Sequence, residues 1–167
     1  MNDSSAPYRL TGDDLTTWAA LATVLEWLPP ALDAPLVRGF DLTHFEYGIL
    51  FALADAPDHS LGMTVLAGYA NSSLSRLSRA ILRLEGRGWV QRTRDPSDGR
   101  SALSALTEAG LEMLENTTPV QAQTVSALVL EPLTNAQRGQ LREISLRIQR
   151  AIREQSGWQP SRPVKAR

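Results

Sequence analysis

Cysteine is missing from all 167 residues, which removes disulfides, thiolate nucleophiles and thiol redox switches together. Histidine occurs twice. His44 and His59 stand fifteen residues apart among scattered acids, a poor arrangement for a metal that needs several converging ligands, so neither a metal nor a cofactor is expected. Lysine is almost absent, since sixteen of the seventeen basic residues are arginine; a skew of the kind that genome composition alone produces carries little functional weight. Long apolar runs are absent too. The stretch from Leu15 to Leu25 is bounded by Asp14 and Glu26 and is too short to span a bilayer. The first ten residues lack the basic and apolar regions of a signal peptide. These absences predict a cytoplasmic protein with no membrane partner. No glycine-rich phosphate loop, nucleophile elbow or histidine-led triad occurs, and the acid pair Asp13-Asp14 suits a helix start, so no enzyme is expected.

What is present is enough for one core. A hydrophobic content of 43% and a charge content of 21% are ordinary for a folded domain of this size. Asp13 or Asp14 is placed to cap a first helix running to about Leu28, with Leu15, Trp18, Leu21, Ala22 and Leu25 at helical spacing. Pro29, Pro30 and Pro35 are expected to break or kink it. Thr43, with Glu46 three residues on, has the spacing of a capping box for a second helix ending near Ala56-Pro57. A short helix is predicted over about Thr64 to Ala70. Thr107 is placed to cap a long helix towards Leu130, bent or interrupted at Pro119. Thr134 and Gln137 repeat the capping-box spacing ahead of a last helix striped by Leu141, Ile144, Ile148 and Ile152.

The segment between these helices is the most informative. From Arg76 to Arg100 there are seven arginines and three acids, a local charge of +4, while the whole chain is −1; a basic island in an acidic protein marks a surface that meets polyanions. Ser72 and Ser73 are both good N-caps. At about 100° per residue, Ser72, Arg76, Arg79, Arg83 and Arg87 fall on one stripe of the following helix, and Leu74, Leu77, Ile81 and Leu84 on another. Asn71 tolerates the left-handed backbone that tight helix-turn-helix connections require. Gly88 ends the helix. Trp89–Arg94 and Ser101–Leu106 read as strands joined by the turn Asp95-Pro96-Ser97-Asp98-Gly99. The expected fold is mainly α with a small β-hairpin wing: a winged helix-turn-helix flanked by N- and C-terminal helices. Apolar stripes on a first and a last helix point to a two-fold homodimer.

In this arrangement the chain resembles the MarR family of bacterial winged-helix regulators. The resemblance rests on Leu42-Thr-His-Phe-Glu-Tyr-Gly-Ile-Leu, on Leu66-Ala67, on Leu77 through Arg92, on Asp95-Pro-Ser-Asp-Gly-Arg and on Leu106-Thr-Glu-Ala-Gly, in that order. It covers about residues 42–110. It implies one domain over 12–156, with 12–41 and 107–156 as dimerisation helices and 42–106 as the winged helix-turn-helix; residues 1–11 and 157–167 read from their own composition as flexible tails. It also implies a homodimer that represses, less often activates, nearby genes from a pseudo-palindromic operator, and a small anionic or aromatic effector that loosens DNA. At the wing, Gly99 stands where the family often has the first of two arginines, which leaves Arg100 alone.

A helix in the major groove reads bases mostly from its N-terminal residues. Ser72, Ser73, Ser75, Arg76 and Arg79 are therefore the candidates nearest base edges, with arginine suited to guanine, while Arg83 and Arg87 are placed to neutralise phosphates. Arg100 is assigned to the minor groove, Asp98 to holding a neighbouring arginine, and Arg94 to backbone phosphate. Trp18, Trp27, Phe45, Tyr47 and Phe51 are the candidates for an effector pocket between the first two helices, the long helix and the DNA-binding lobe; core or interface packing is the competing role for each. The alternative function is a winged-helix module that binds protein or a small molecule without DNA.

Overall fold

The computed structural model describes residues 9–94 and 102–156. Six α-helices and three short strands follow in the order α1 (Gly12–Phe40), α2 (His44–Ala54), β1 (Ser60–Gly62), α3 (Met63–Tyr69), α4 (Leu74–Gly86), β2 (Val90–Arg94), β3 (Ala102–Leu106), α5 (Glu108–Val125) and α6 (Asn135–Ser156). Asp13 and Asp14 lie inside the first turn of α1, and Thr11 takes the cap position they were expected to fill. Negative charge there still complements the helix dipole.

α1 is not broken at its prolines: one helix passes through Pro29, Pro30 and Pro35. Each costs about 3 kcal/mol in a helix interior. Burial of Leu32 and Leu36, which are 7% and 0% exposed, works against that cost and meets part of it. A tether helps as well, since the His44 amide donates to Asp33 Oδ1 at 2.7 Å and ties the proline-rich turns to α2. The helix ends at Asp41, whose backbone is left-handed (φ 51°, ψ 37°).

α2 begins with the expected capping box. Thr43 Oγ1 accepts from the Glu46 amide at 3.2 Å, and Glu46 Oε2 accepts from the Thr43 amide at 3.0 Å. Its Ile49, Leu50 and Leu53 are fully buried, so α2 is the central pillar of the core. Leu42, Leu61, Leu66, Leu77, Ala80, Ile81, Leu84, Val90 and Leu114 pack around it. Leu74, expected on the buried stripe of α4, is 50% exposed, and Ala80 is buried instead. Leu74 is the first helical residue, ahead of the turns that α2 and α3 cover.

The sheet has one strand more than expected. β3 lies in the middle, with β2 and β1 antiparallel on either side; Leu61 pairs with Ser104, and Arg92 also pairs with Ser104 from the other edge. Gly110 lets α5 start hard against the wing: a Cβ there would lie 2.1 Å from the Trp89 carbonyl oxygen. Thr107 caps α5 by accepting from the Gly110 amide and donates to the Gly88 carbonyl at 2.7 Å. α5 continues through Pro119 to Val125 and passes into a single π turn over Ser126–Leu130. α6 makes only slight contact with the rest of the described chain.

Candidate nucleic-acid interface

α4 has the strongest division between faces in the molecule. Leu77, Ala80, Ile81 and Leu84 point into the core, whereas Ser73, Ser75, Arg76, Arg79 and Arg83 are exposed. The turn that delivers it is tight: Asn71 has φ 47°, and the Ser72 amide reaches back to the Ala67 carbonyl at 3.0 Å. Ser73 then caps α4, its Oγ accepting from the Arg76 amide at 3.3 Å, while Ser72 Oγ donates to the Ser73 carbonyl. The serine and arginine positions at the start of α4 therefore share one exposed surface.

The arginines along that surface have different neighbours. Arg76 lies over the Phe45 ring, 4.1 Å from its centroid, a stacking that presents the guanidinium edge outward. Among the described residues, neither Arg76 nor Arg79 is paired with a carboxylate. Arg83 Nε lies 3.3 Å from Glu46 Oε1. Arg87 donates to the carboxylate and the carbonyl oxygen of Asp41 and lies over the Trp89 ring at 5.0 Å. Arg92, on β2, pairs with Glu85 at 3.0 Å. The acids that reach the stripe, Asp41 and Glu46, were not singled out for this in the sequence. Glu46 was legible there only as a capping residue, and its second oxygen has this further partner.

Of the wing residues, Arg94 closes β2 opposite Ala102, and Asp98 and Arg100 lie outside the described residues, as does the turn that carries them. The five aromatic candidates for an effector pocket are dispersed. Tyr47 and Phe51 stack at 6.3 Å between centroids, and the Tyr47 hydroxyl is 3.3 Å from Thr118 Oγ1 on α5. Phe45 turns instead towards Arg76. Trp18 and Trp27 stand on α1, 51% and 73% exposed. A groove of about 380 Å³ opens between the α1–α2 corner and α4; Asp33, Phe45, Arg76, Arg79 and Arg83 are among the residues that line it.

Comparison with known proteins agrees with this geometry. The family model described as MarR family matches residues 42–102. The crystal structure of Sco3205, a MarR family transcriptional regulator from Streptomyces coelicolor in complex with DNA, is 36% identical, covers 89% of this chain and 92% of its own, and superposes with a TM-score of 0.84. This chain belongs to the MarR family. AbsC, a second MarR family regulator from Streptomyces coelicolor, is 28% identical over 88% of this chain and 99% of its own, with a TM-score of 0.83. Among curated proteins, the HTH-type transcriptional regulator YdcH of Bacillus subtilis is 30% identical over 83 residues, 48% of this chain and 56% of its own length. The chain thus spans little more than half of that relative. In MarR terms, α3 and α4 are the helix-turn-helix and β2–β3 the wing.

Proposed function

We propose that this protein is a sequence-specific, double-stranded-DNA-binding transcriptional regulator, acting mainly by repression and without enzymatic activity, as a homodimer on a pseudo-palindromic duplex. The observation that carries this reading is the exposed face of α4. Arg76 and Arg79, both free of carboxylate partners among the described residues, stand next to Ser73 and Ser75 at the end of the helix that enters a major groove. The relative Sco3205, whose structure holds DNA, supports it. In this reading Ser72, Ser73, Ser75, Arg76 and Arg79 face bases and nearby phosphates, and Arg94, Asp98 and Arg100 serve the wing.

The homodimer is supported by the apolar surface at both ends of the chain. Leu15, Trp18, Val24, Leu25 and Trp27 on α1 are 49–73% exposed, and Leu141, Ile144, Leu146, Ile148 and Ile152 on α6 are 40–54% exposed. Burying a large apolar side chain contributes about 1.5–3 kcal/mol. A second copy covers both helices with one symmetric, self-complementary surface. The terminal helices are then the dimer lobe, and residues 42–106 the DNA-binding lobe. The groove beside Phe45, Arg76, Arg79 and Arg83 supports a small anionic or aromatic effector as part of the same proposal. Among the described residues no helix is long and apolar enough to cross a membrane, in keeping with a cytoplasmic regulator.

The test is a fluorescence-anisotropy titration of wild type and Arg79→Ala against a duplex that the wild-type protein selects from a random pool, and against a scrambled duplex. Wild-type binding should be selective and should weaken with salt by about 0.9 log unit per log salt for each phosphate neutralised. Arg79→Ala should lose about 1–3 kcal/mol on the selected duplex and much less on the scrambled one. Salt-insensitive binding, or none to either duplex, would leave the interaction-module alternative.

A further inference from the structure

The stripe of α4 is divided by its partners. Its C-terminal arginines, Arg83 and Arg87, sit one helical turn apart and meet two acids on the corner between α1 and α2. Glu46 is the deeper partner. Its side chain is only 3% exposed, and Oε2 is occupied by the Thr43 amide and by the Thr43 hydroxyl at 2.9 Å, which leaves Oε1 to Arg83. Arg83 itself is 55% exposed, but if it turned outward to a phosphate the buried Glu46 carboxylate would lose its cation, an unfavourable change. Asp41 is the shallower partner, with its side chain 76% exposed, and an ion pair of that kind alone contributes little. Arg87 is nevertheless fixed from three sides, by the Asp41 carboxylate, the Asp41 carbonyl and the Trp89 ring. Asp41 also keeps a left-handed backbone, a conformation that aspartate tolerates better than most non-glycine residues. Its carbonyl and its carboxylate both accept from Arg87 there.

We propose that Arg83 and Arg87 are positioning residues rather than phosphate contacts: they seat α4 on the Asp41–Glu46 corner and so fix the angle at which Arg76 and Arg79 are presented to the groove. This rests on the DNA-binding reading above and replaces the phosphate role expected for both residues from the sequence. It makes α1, the helix of the proposed dimer lobe, part of the seat of the reading head. It also reduces the arginines of the stripe left to face DNA from four to two per protomer, Arg76 and Arg79.

Two substitutions remove a carboxylate while keeping the local backbone. Glu46→Gln retains a capping-box residue at the third position of α2. Asp41→Gly places the residue best suited to a left-handed helix end. Either one makes the protein more positive, so a pure charge effect would tighten binding to every duplex. The full chain and both variants are titrated by anisotropy against the selected and scrambled duplexes at several salt concentrations, with thermal melts as the folding control. Positioning predicts that Glu46→Gln weakens the selected duplex about tenfold, leaves scrambled binding within about twofold and leaves the salt slope unchanged. Asp41→Gly should act in the same direction, more weakly. Tighter binding to both duplexes with a steeper salt slope would show that the freed arginines contact phosphate, and would overturn the proposal. Unchanged binding to both would overturn it as well, because a merely structural pair alters the melt and not the ratio between duplexes. If Glu46→Gln does not fold, Asp41→Gly decides alone between these outcomes. Wild-type binding to neither duplex would instead refute the DNA-binding reading and this proposal with it.

Discussion

The middle of the chain and its two ends carry the same kinds of large apolar residue and treat them in opposite ways. Around α2, the side chains of Leu50, Leu53, Leu66, Leu77, Ile81 and Leu84 are fully buried. On the first turns of α1 and along α6, Leu15, Leu25, Leu141, Ile144 and Ile152 are 42–57% exposed. Residue type does not separate the two regions; the presence of a covering element does. α2 is surrounded by α1, α3, the sheet and α5 and shares its core with the buried face of α4, whereas α6 makes only slight contact with the rest of the described chain. The body can therefore fold on its own contacts. In the proposed homodimer a second copy completes the ends, and their stability should then depend on protein concentration.

The sharpest break of the body should come at Gly110. Its added Cβ in Gly110→Ala would meet backbone, the Trp89 carbonyl, at 2.1 Å, and neither α5 nor the wing can move without the other. A loss of about 4 kcal/mol or more is expected, read as a collapse of the denaturant midpoint. Leu84→Ala, a cavity at a fully buried site, should cost about 2–5 kcal/mol. That loss should be the same at high and low protein concentration. At the open end the behaviour should reverse. Ile144→Asp, at a position 54% exposed, should shift the proposed dimer towards monomer by at least about 1 kcal/mol per side chain, about half the value for a fully exposed one, with the burial of a carboxylate adding to it, seen by light scattering, while dilute samples melt as before. If Ile144→Asp lowers the melt equally at all concentrations, the contrast between body and ends is wrong. The smallest effect is expected at Thr43→Ala, which removes the cap hydroxyl of α2 and should cost about 1 kcal/mol by chemical denaturation.

Much of this was legible in the sequence because local chemistry decides it. The capping boxes at Thr43 and Thr134, the left-handed Asn71 and the division of α4 into two faces each follow from residues within a few positions of one another. What was not legible depends on contacts distant in sequence. α1 continues through three prolines because Leu32 and Leu36 are buried and Asp33 tethers α2, none of which appears in the helix's own composition. β1 is three residues long, too short to show an alternation, and exists because the edge of β3 is open to it. The pairing of Arg83 with Glu46 joins residues 37 positions apart. In the sequence all four arginines of the stripe look open to DNA; the structure pairs Arg83 and Arg87 with acids. Among the aromatic candidates, Phe45 and Phe51 lie on one helix but meet different neighbours, Arg76 and Tyr47, which their sequence positions alone do not show.

If two copies of α4 read one duplex, a hydroxyl-radical footprint of the selected duplex should show two protected patches related by two-fold symmetry, centred about one helical turn apart, both lost together in Arg76→Ala/Arg79→Ala. A single unpaired patch, or a footprint that survives that double substitution, would contradict that reading.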